Sequence, residues 1–308
     1  MERLNEFRLF YNHTIHPELL RMERKRKRLL TLLFLSCIVL IFVLILQIYV
    51  HILAVTLILL ILVGFYIAYL VYKIREFKVT FKPNVINLIM DFIDDDINYG
   101  TLTYEAKRKI PKKDFLRSAL FATDAPFYEG EDYIKGSYRE LTFELSELNV
   151  KEYSKVRNRL NYIFKGIFLV GVYAEKSKKG RIIVLPRDYQ QYQSRTVKEF
   201  YFKGGKPVNE LMTRSFDKVF ITLASRGLNI EQVLSRDMQK ALLNFRERTD
   251  KEIYVSFIDN KVYVAVTEPK DILEPEIFYS NVSFDLLREF FEELQLLLSI
   301  LEDLDVNN

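Results

Sequence analysis

Three kinds of residue are scarce in this chain of 308 residues. It has one cysteine, Cys37, three histidines, His13, His16 and His51, and no tryptophan. Residues 79–308 contain neither histidine nor cysteine. That excludes Ser-His-Asp and Cys-His nucleophilic catalysis there, together with the usual zinc ligand sets. A lone thiol builds no disulfide framework, which suits a reducing compartment. Glycine is also sparse, at 10 residues. Gly204-Gly205-Lys206 lacks the spaced leading glycine and following Ser/Thr of a phosphate loop and reads as a turn. No dinucleotide fingerprint follows any strand, so no cofactor is expected. The reading favours a binding role over catalysis.

Charge is missing in one place. Leu29 to Tyr72 is a run of 44 residues without an ionised side chain. As one helix it would be roughly 66 Å long, at 1.5 Å per residue. A hydrocarbon core of about 30 Å needs only about 20 residues. The run therefore reads as two crossings, near 29–49 and 52–72, turning in the polar stretch Gln47–His51. Lipid offers the backbone no partners, so the crossings are expected to be helices. Tyr66, Tyr69 and Tyr72 suit an interface, and Gly64 and Ala68 form a small-residue notch for close helix packing. The run is too long for a cleaved signal peptide.

Orientation follows from the flanks. Arg24, Lys25, Arg26, Lys27 and Arg28 precede the first crossing, and Lys73 and Arg75 follow the second. No Lys or Arg lies in the turn, so both termini are expected in the cytoplasm. Setting aside the eight bases and four acids of residues 1–28 leaves 37 of each, so net charge gives no case for nucleic-acid binding. Charge is segregated within that remainder. Lys151–Arg181 holds nine bases and two acids, while the stretch from Asp271 onward holds ten acids and one base. These read either as solvated faces or, for the basic stretch, as a surface for anionic headgroups.

Patterning divides the chain into an arm (1–28), a membrane hairpin (29–72) and a cytoplasmic domain (79–308). Leu4, Phe7, Phe10, Tyr11, Ile15 and Leu19 space an amphipathic helix, lying on the membrane or against the domain, which Pro17 interrupts. Short helices are expected at 83–92 and 112–121. Strands are expected at 138–148, 166–173, 181–185 and 218–223, with a hairpin of 253–257 and 262–266. Helices at 229–234, 237–248 and 283–304 complete an α+β class, its strands mostly antiparallel with helices flanking them.

Carboxylates are the one remaining source of chemistry. Asp91, Asp94, Asp95 and Asp96 cluster at an expected helix end, where oxygen ligands suit Mg²⁺ or Ca²⁺. They match no calcium loop, so an exposed linker stands beside the metal-dependent hydrolase they would allow. Glu129, Glu131 and Asp132 form a second acidic patch. Arg187, Tyr189 and Tyr192 read as a polar aromatic loop.

Several segments together carry a resemblance. They are Phe7-Arg-Leu-Phe-Tyr11, the two-span hairpin, Glu131-Asp-Tyr-Ile-Lys-Gly136, Gly180-Arg-Ile-Ile-Val-Leu-Pro186, Lys251-Glu-Ile-Tyr-Val-Ser-Phe257 and Phe284-Asp-Leu-Leu-Arg-Glu-Phe-Phe-Glu-Glu-Leu294. The chain resembles the bacterial membrane-protein family known as domain of unknown function 3137. The resemblance implies a bacterial inner-membrane protein with a large soluble domain, and it implies no catalytic residues. The expected partners are the lipid bilayer and either another protein or a second copy of the chain.

Overall fold

The structure is a computed structural model. It describes residues 2–50, 53–95, 99–139, 141–154, 158–172, 180–187, 191–208, 212–225, 230–249, 251–270 and 273–306. The chain forms two compact units, one of Met1–Phe92 with Leu273–Phe290, the other of Ile93–Ile272 with Phe291–Asn308.

The first unit is helical. Helix α1 (Glu2–Phe10) passes through a π-helical turn, Tyr11–Ile15, into α2 (His16–Val50). Pro17 therefore lies inside a continuous helix, just after the π-helical turn whose wider ladder adjoins it, and does not break the chain into two helices as expected. Of the apolar positions expected to share a face, Phe7, Tyr11, Ile15 and Leu19 are buried, while Leu4 and Phe10 are half-buried. Their partners are protein: the Phe7 ring lies 5.3 Å from Phe92, and Tyr11 lies 5.0 Å from Phe284.

Helix α3 (Leu53–Asp94) runs unbroken through the expected boundary after residue 72 and contains Pro83. The separate helix expected at 83–92 is thus the end of α3. A proline inside a helix removes the bond to the carbonyl four residues earlier, at a cost of about 3 kcal/mol. Here that carbonyl belongs to Val79, which is exposed and within reach of water, while Phe81, Val85, Ile86 and Ile89 are buried and hold the helix in place. Residues 273–283 strap this unit. Lys82 Nζ lies 3.3 Å from Glu274, Arg26 donates to the carbonyl of Ile277, and Asn281 bonds the backbone of Glu276 in both directions at 2.7 and 2.8 Å.

The second unit is built on an antiparallel sheet with nine strands among the described residues. They are β1 (Thr103–Glu105), β2 (Phe127–Tyr138), β3 (Leu141–Ser154), β4 (Arg159–Val172), β5 (Arg181–Pro186), β6 (Lys206–Pro207), β7 (Phe220–Ala224), β8 (Ile253–Ile258) and β9 (Lys261–Thr267). Their order is β1-β2-β3-β4-β9-β8-β5-β7-β6. The expected hairpin closes on Ile258 opposite Lys261, and Asp259 takes the positive φ of 55° that so short a turn requires.

Alternation in β3 sends Leu141, Phe143 and Leu145 to one face and Ser146, Leu148 and Val150 to the other. Both sets are buried because helices cover both faces. On one side, α4 (Lys112–Arg117) and α5 (Gln191–Phe202) bring Phe115, Val197 and Phe200 onto Phe168, Ile183, Leu223 and Tyr254. On the other, α9 (Phe284–Val306) lies so close that a Cβ on Gly171 would stand 2.5 Å from Leu301. Short helices α6 (Arg214–Val219) and α7 (Ile230–Val233) accompany the longer α8 (Arg236–Thr249).

The α+β class is as expected, but several boundaries differ. The strand expected at 138–148 is cut by a turn at Arg139, whose φ is +49°. The one expected at 166–173 begins at Arg159. The helix expected at 112–121 stops at Arg117, before Ala119 turns left-handed at φ +53°. Strand β2 and helix α5 have no counterpart in the sequence reading.

Candidate functional site

Two helices are long and apolar enough to cross a membrane. Only 11% and 6% of their most apolar stretches is buried in the protein. Phe34, Phe42, Ile48, Leu53 and Phe65 are each more than 60% exposed. A soluble protein covers such a band, because large exposed apolar patches mark interfaces. Near the tips, Thr56 on α3 donates to Gln47 on α2. Residues 51–52, where the turn is expected, lie outside the described residues.

The basic flanks divide into two kinds. Arg24, Lys25, Lys27, Arg28 and Arg75 are exposed. Lys73 is half-buried and pairs with Glu76 at 2.7 Å. Arg26 is buried, and it forks onto Glu23 at 2.9 and 2.5 Å while holding the strap. The hydrogen bond from Arg26 and its charge hold the Glu23 carboxyl below the ordinary range, against the burial that opposes them. Gly64 faces open space and Ala68 is exposed, so the close approach expected between α2 and α3 is not made there.

A cleft of about 970 Å³ opens in the second unit. Thr196 of α5 builds one wall, accepting from the Ala122 N–H at 2.9 Å and donating to the Leu120 carbonyl at 3.1 Å. Ser256 of β8 donates to the Ser118 carbonyl at 2.7 Å and holds the segment after α4 in place. The turn of β8 and β9 closes the opposite end, through Asp259, Asn260 and Lys261. Phe121, Phe200 and Tyr263 supply an apolar floor.

Charges of both signs ring that floor. Arg195 pairs with Glu152 at 3.2 Å, Lys203 with Glu199, and Lys261 with Asp114 at 3.1 Å. Arg117 reaches Asp114 only at 3.9 Å, and Arg181 has no ion-pair partner among the described residues. An apolar floor ringed by charges of both signs suits a polypeptide or an amphipathic anion.

The aspartates singled out in the sequence do not converge among the described residues. Asp91 and Asp95 are exposed, Asp94 accepts the Leu102 N–H at 3.0 Å, and Asp96 lies outside the described residues. Carboxylates converge instead at Glu131, Asp132 and Glu147, whose oxygens lie within 4.8 Å of one another. Successive strand residues ordinarily face opposite ways. A bulge between Glu131 and Ile134, with Asp132 at φ +56°, brings the first two together beside Glu147. Three carboxylates are the donor set of a hard cation. Asp132 already accepts from the Tyr104 hydroxyl, however, and its N–H donates to the Ala106 carbonyl at 3.0 Å. Beside them Tyr133 is fully buried, with the Arg108 guanidinium 4.0 Å from its ring centre. Burial chiefly pushes its phenol up to about 12.

One ionic centre has no local sequence signal. Lys251, before β8, contacts Glu268 and Glu293, and all three are about nine-tenths buried or more. Burial alone would lower the Lys251 pKa, but the two carboxylates hold it above the ordinary lysine range. Glu23 and Arg26, by contrast, had a legible signal in their spacing of three on one helix. Arg187 of the expected aromatic loop pairs with Asp217 at 2.6 Å, a structural role. Tyr189 and the Tyr192 side chain lie outside what is described.

These features define an α+β unit in a chain that also carries two apolar helices long enough to cross a membrane. Residues 162–306 match the family described as protein of unknown function, DUF3137. No curated protein matches. The crystal structure of the mycobacterial trehalose monomycolate transport factor A, TtfA, is similar at TM-score 0.33 and 9% identity. That likeness covers 63% of this chain and 88% of that one.

Proposed function

We propose that this is a bacterial inner-membrane protein that presents its sheet unit as a binding module for a protein partner. Residues 29–49 and 52–72 cross the bilayer, and both termini lie in the cytoplasm. The observation that carries the membrane reading is the uncovered apolar band of α2 and α3. Exposed Arg24, Lys25, Lys27, Arg28 and Arg75 flank that band and set the orientation.

The cleft supports the binding role. Its apolar floor, its Arg117 and Arg181, and its paired rim charges suit a peptide segment carrying both apolar and acidic side chains. The test is gentle purification of the full chain from its native membrane, with mass spectrometry of what is retained. A protein retained in stoichiometric amount, and lost on Arg181→Glu, supports this reading. A retained metal ion or nucleotide without a protein contradicts it and returns attention to the carboxylates.

A further inference from the structure

The strap of the first unit carries two aromatic side chains that none of the described residues covers. Phe278 is 82% exposed and Tyr279 is 72% exposed. Exposed aromatics on an otherwise anchored loop are unusual in water, and their height along the helices explains them.

Glu274 lies against Lys82, ten residues beyond Tyr72 on α3, or about 15 Å of helix from the end of the apolar run. Ile277 is held by Arg26, three residues before Leu29 on α2, or about 4.5 Å from the start of that run. Where Leu29 and Tyr72 lie at one face of a bilayer, the strap descends about 10 Å between Glu274 and Ile277, which three extended residues span. Asn281 then turns the chain back on Glu276. By Phe284 it has returned to Tyr11, about four helical turns before Arg26. Phe278 and Tyr279 therefore occupy the lowest point of the strap, beside the first residues of the apolar band.

We propose that Phe278 and Tyr279 insert into the headgroup–acyl boundary of the bilayer that α2 and α3 cross, so that a C-terminal segment provides a third membrane contact. An apolar ring followed by an amphipathic one suits that boundary. Exposed Arg24, Lys27, Arg28 and Lys78 near the same level favour anionic headgroups there. The buried Arg26–Glu23 pair fixes the depth of the strap, because it ties the loop to the helix that enters the bilayer.

This inference rests on the membrane reading above, and one experiment separates the two. The chain has no tryptophan, so one introduced residue reports alone. Phe278→Trp and, separately, Phe42→Trp are reconstituted as full-length protein in vesicles of zwitterionic and anionic phospholipid. The chains are brominated either near the headgroup or near the chain end. Phe278→Trp is expected to lose fluorescence to shallow bromines more than to deep ones, and Tyr279→Trp to do the same. Phe42→Trp is expected to be quenched by deep bromines. Unquenched Phe278→Trp and Tyr279→Trp beside a quenched Phe42→Trp overturn the third contact and leave the spans intact. If Phe42→Trp is also unquenched, both readings fall.

Discussion

Replacing Lys251 with methionine removes the cation from an ionic centre that water barely reaches. Lys251 is 10% exposed, and its partners Glu268 and Glu293 are 8% and 3% exposed. The variant leaves two carboxylates facing each other in the packed interior. Breaking one side of such a buried pair costs about 3–5 kcal/mol, more than the pair itself contributes, because the remaining charge is stranded. For a unit of roughly 200 residues each kcal/mol moves the melting temperature by about 2–4 °C, so a fall of about 10 °C is expected.

The pH dependence has a definite sign. The raised Lys251 pKa means that its contribution is complete below the ordinary lysine value of about 10.4 and is lost only as pH climbs through the folded value. Wild-type stability from this source is thus flat near neutrality. In the variant the two buried carboxylates repel each other without a cation between them, so part of the lost stability is expected to return as the pH is lowered towards 5. Thermal unfolding of the full-length protein in detergent, at pH 5 and pH 8, measures both effects. Lys251→Met combined with Glu268→Gln and Glu293→Gln is expected to recover most of the loss. A fall below about 1 kcal/mol, or one independent of pH, refutes the reasoning.

Arg26→Ala leaves the buried Glu23 carboxylate with Lys27 at 3.7 Å as its remaining cation and releases the Ile277 carbonyl. It is expected to cost about 3 kcal/mol and to speed proteolytic cleavage within 273–283, read by limited proteolysis of the full chain. Gly171→Ala puts a methyl group 2.5 Å from Leu301 and 2.7 Å from Val262, so about 1–3 kcal/mol is lost, and Leu301→Ala is expected to cost less in that background than in the wild type, because the added methyl group takes up part of the room it leaves. Urea midpoints of the single and double variants check that pair. Arg117→Glu with Arg181→Glu is expected to abolish retention of a partner by the cleft while leaving the melting temperature within about 1 °C, since both side chains are exposed.

Legibility in the sequence depended on how local the determining interaction was. The hairpin of β8 and β9 could be read because its two apolar runs alternate about a short polar turn, and the turn needs only Asp259. The helices of the first unit were legible as apolar and charged runs, although Pro83 marked a boundary that tertiary burial of Phe81 and Val85 removes. Strand β2 was hidden because Gly130, Gly136 and three acids interrupt its alternation, and the bulge at Asp132 breaks it altogether. Helix α5 was hidden by its polar start, and it is held by Thr196 bonding to residues 120–122, far away in the chain.

The candidate sites followed the same rule. Lys251, Glu268 and Glu293 span more than forty residues, so no spacing reveals them. The cleft assembles five separate segments. The acidic run at 91–96 was conspicuous because it is contiguous. Contiguity on a helix end separates side chains in space, whereas a bulge can unite them.

The most direct test of the proposed architecture is topology. Cys37 is the only thiol, so Cys37→Ser provides a clean background. Single cysteines are then placed at Asn5, at His51 and at Asn307, and intact cells or spheroplasts are treated with a membrane-impermeant maleimide. The account predicts that His51→Cys is labelled from outside, whereas Asn5→Cys and Asn307→Cys are labelled only after the membrane is permeabilised. Labelling of Asn5→Cys or Asn307→Cys in intact cells, with His51→Cys protected, would contradict it.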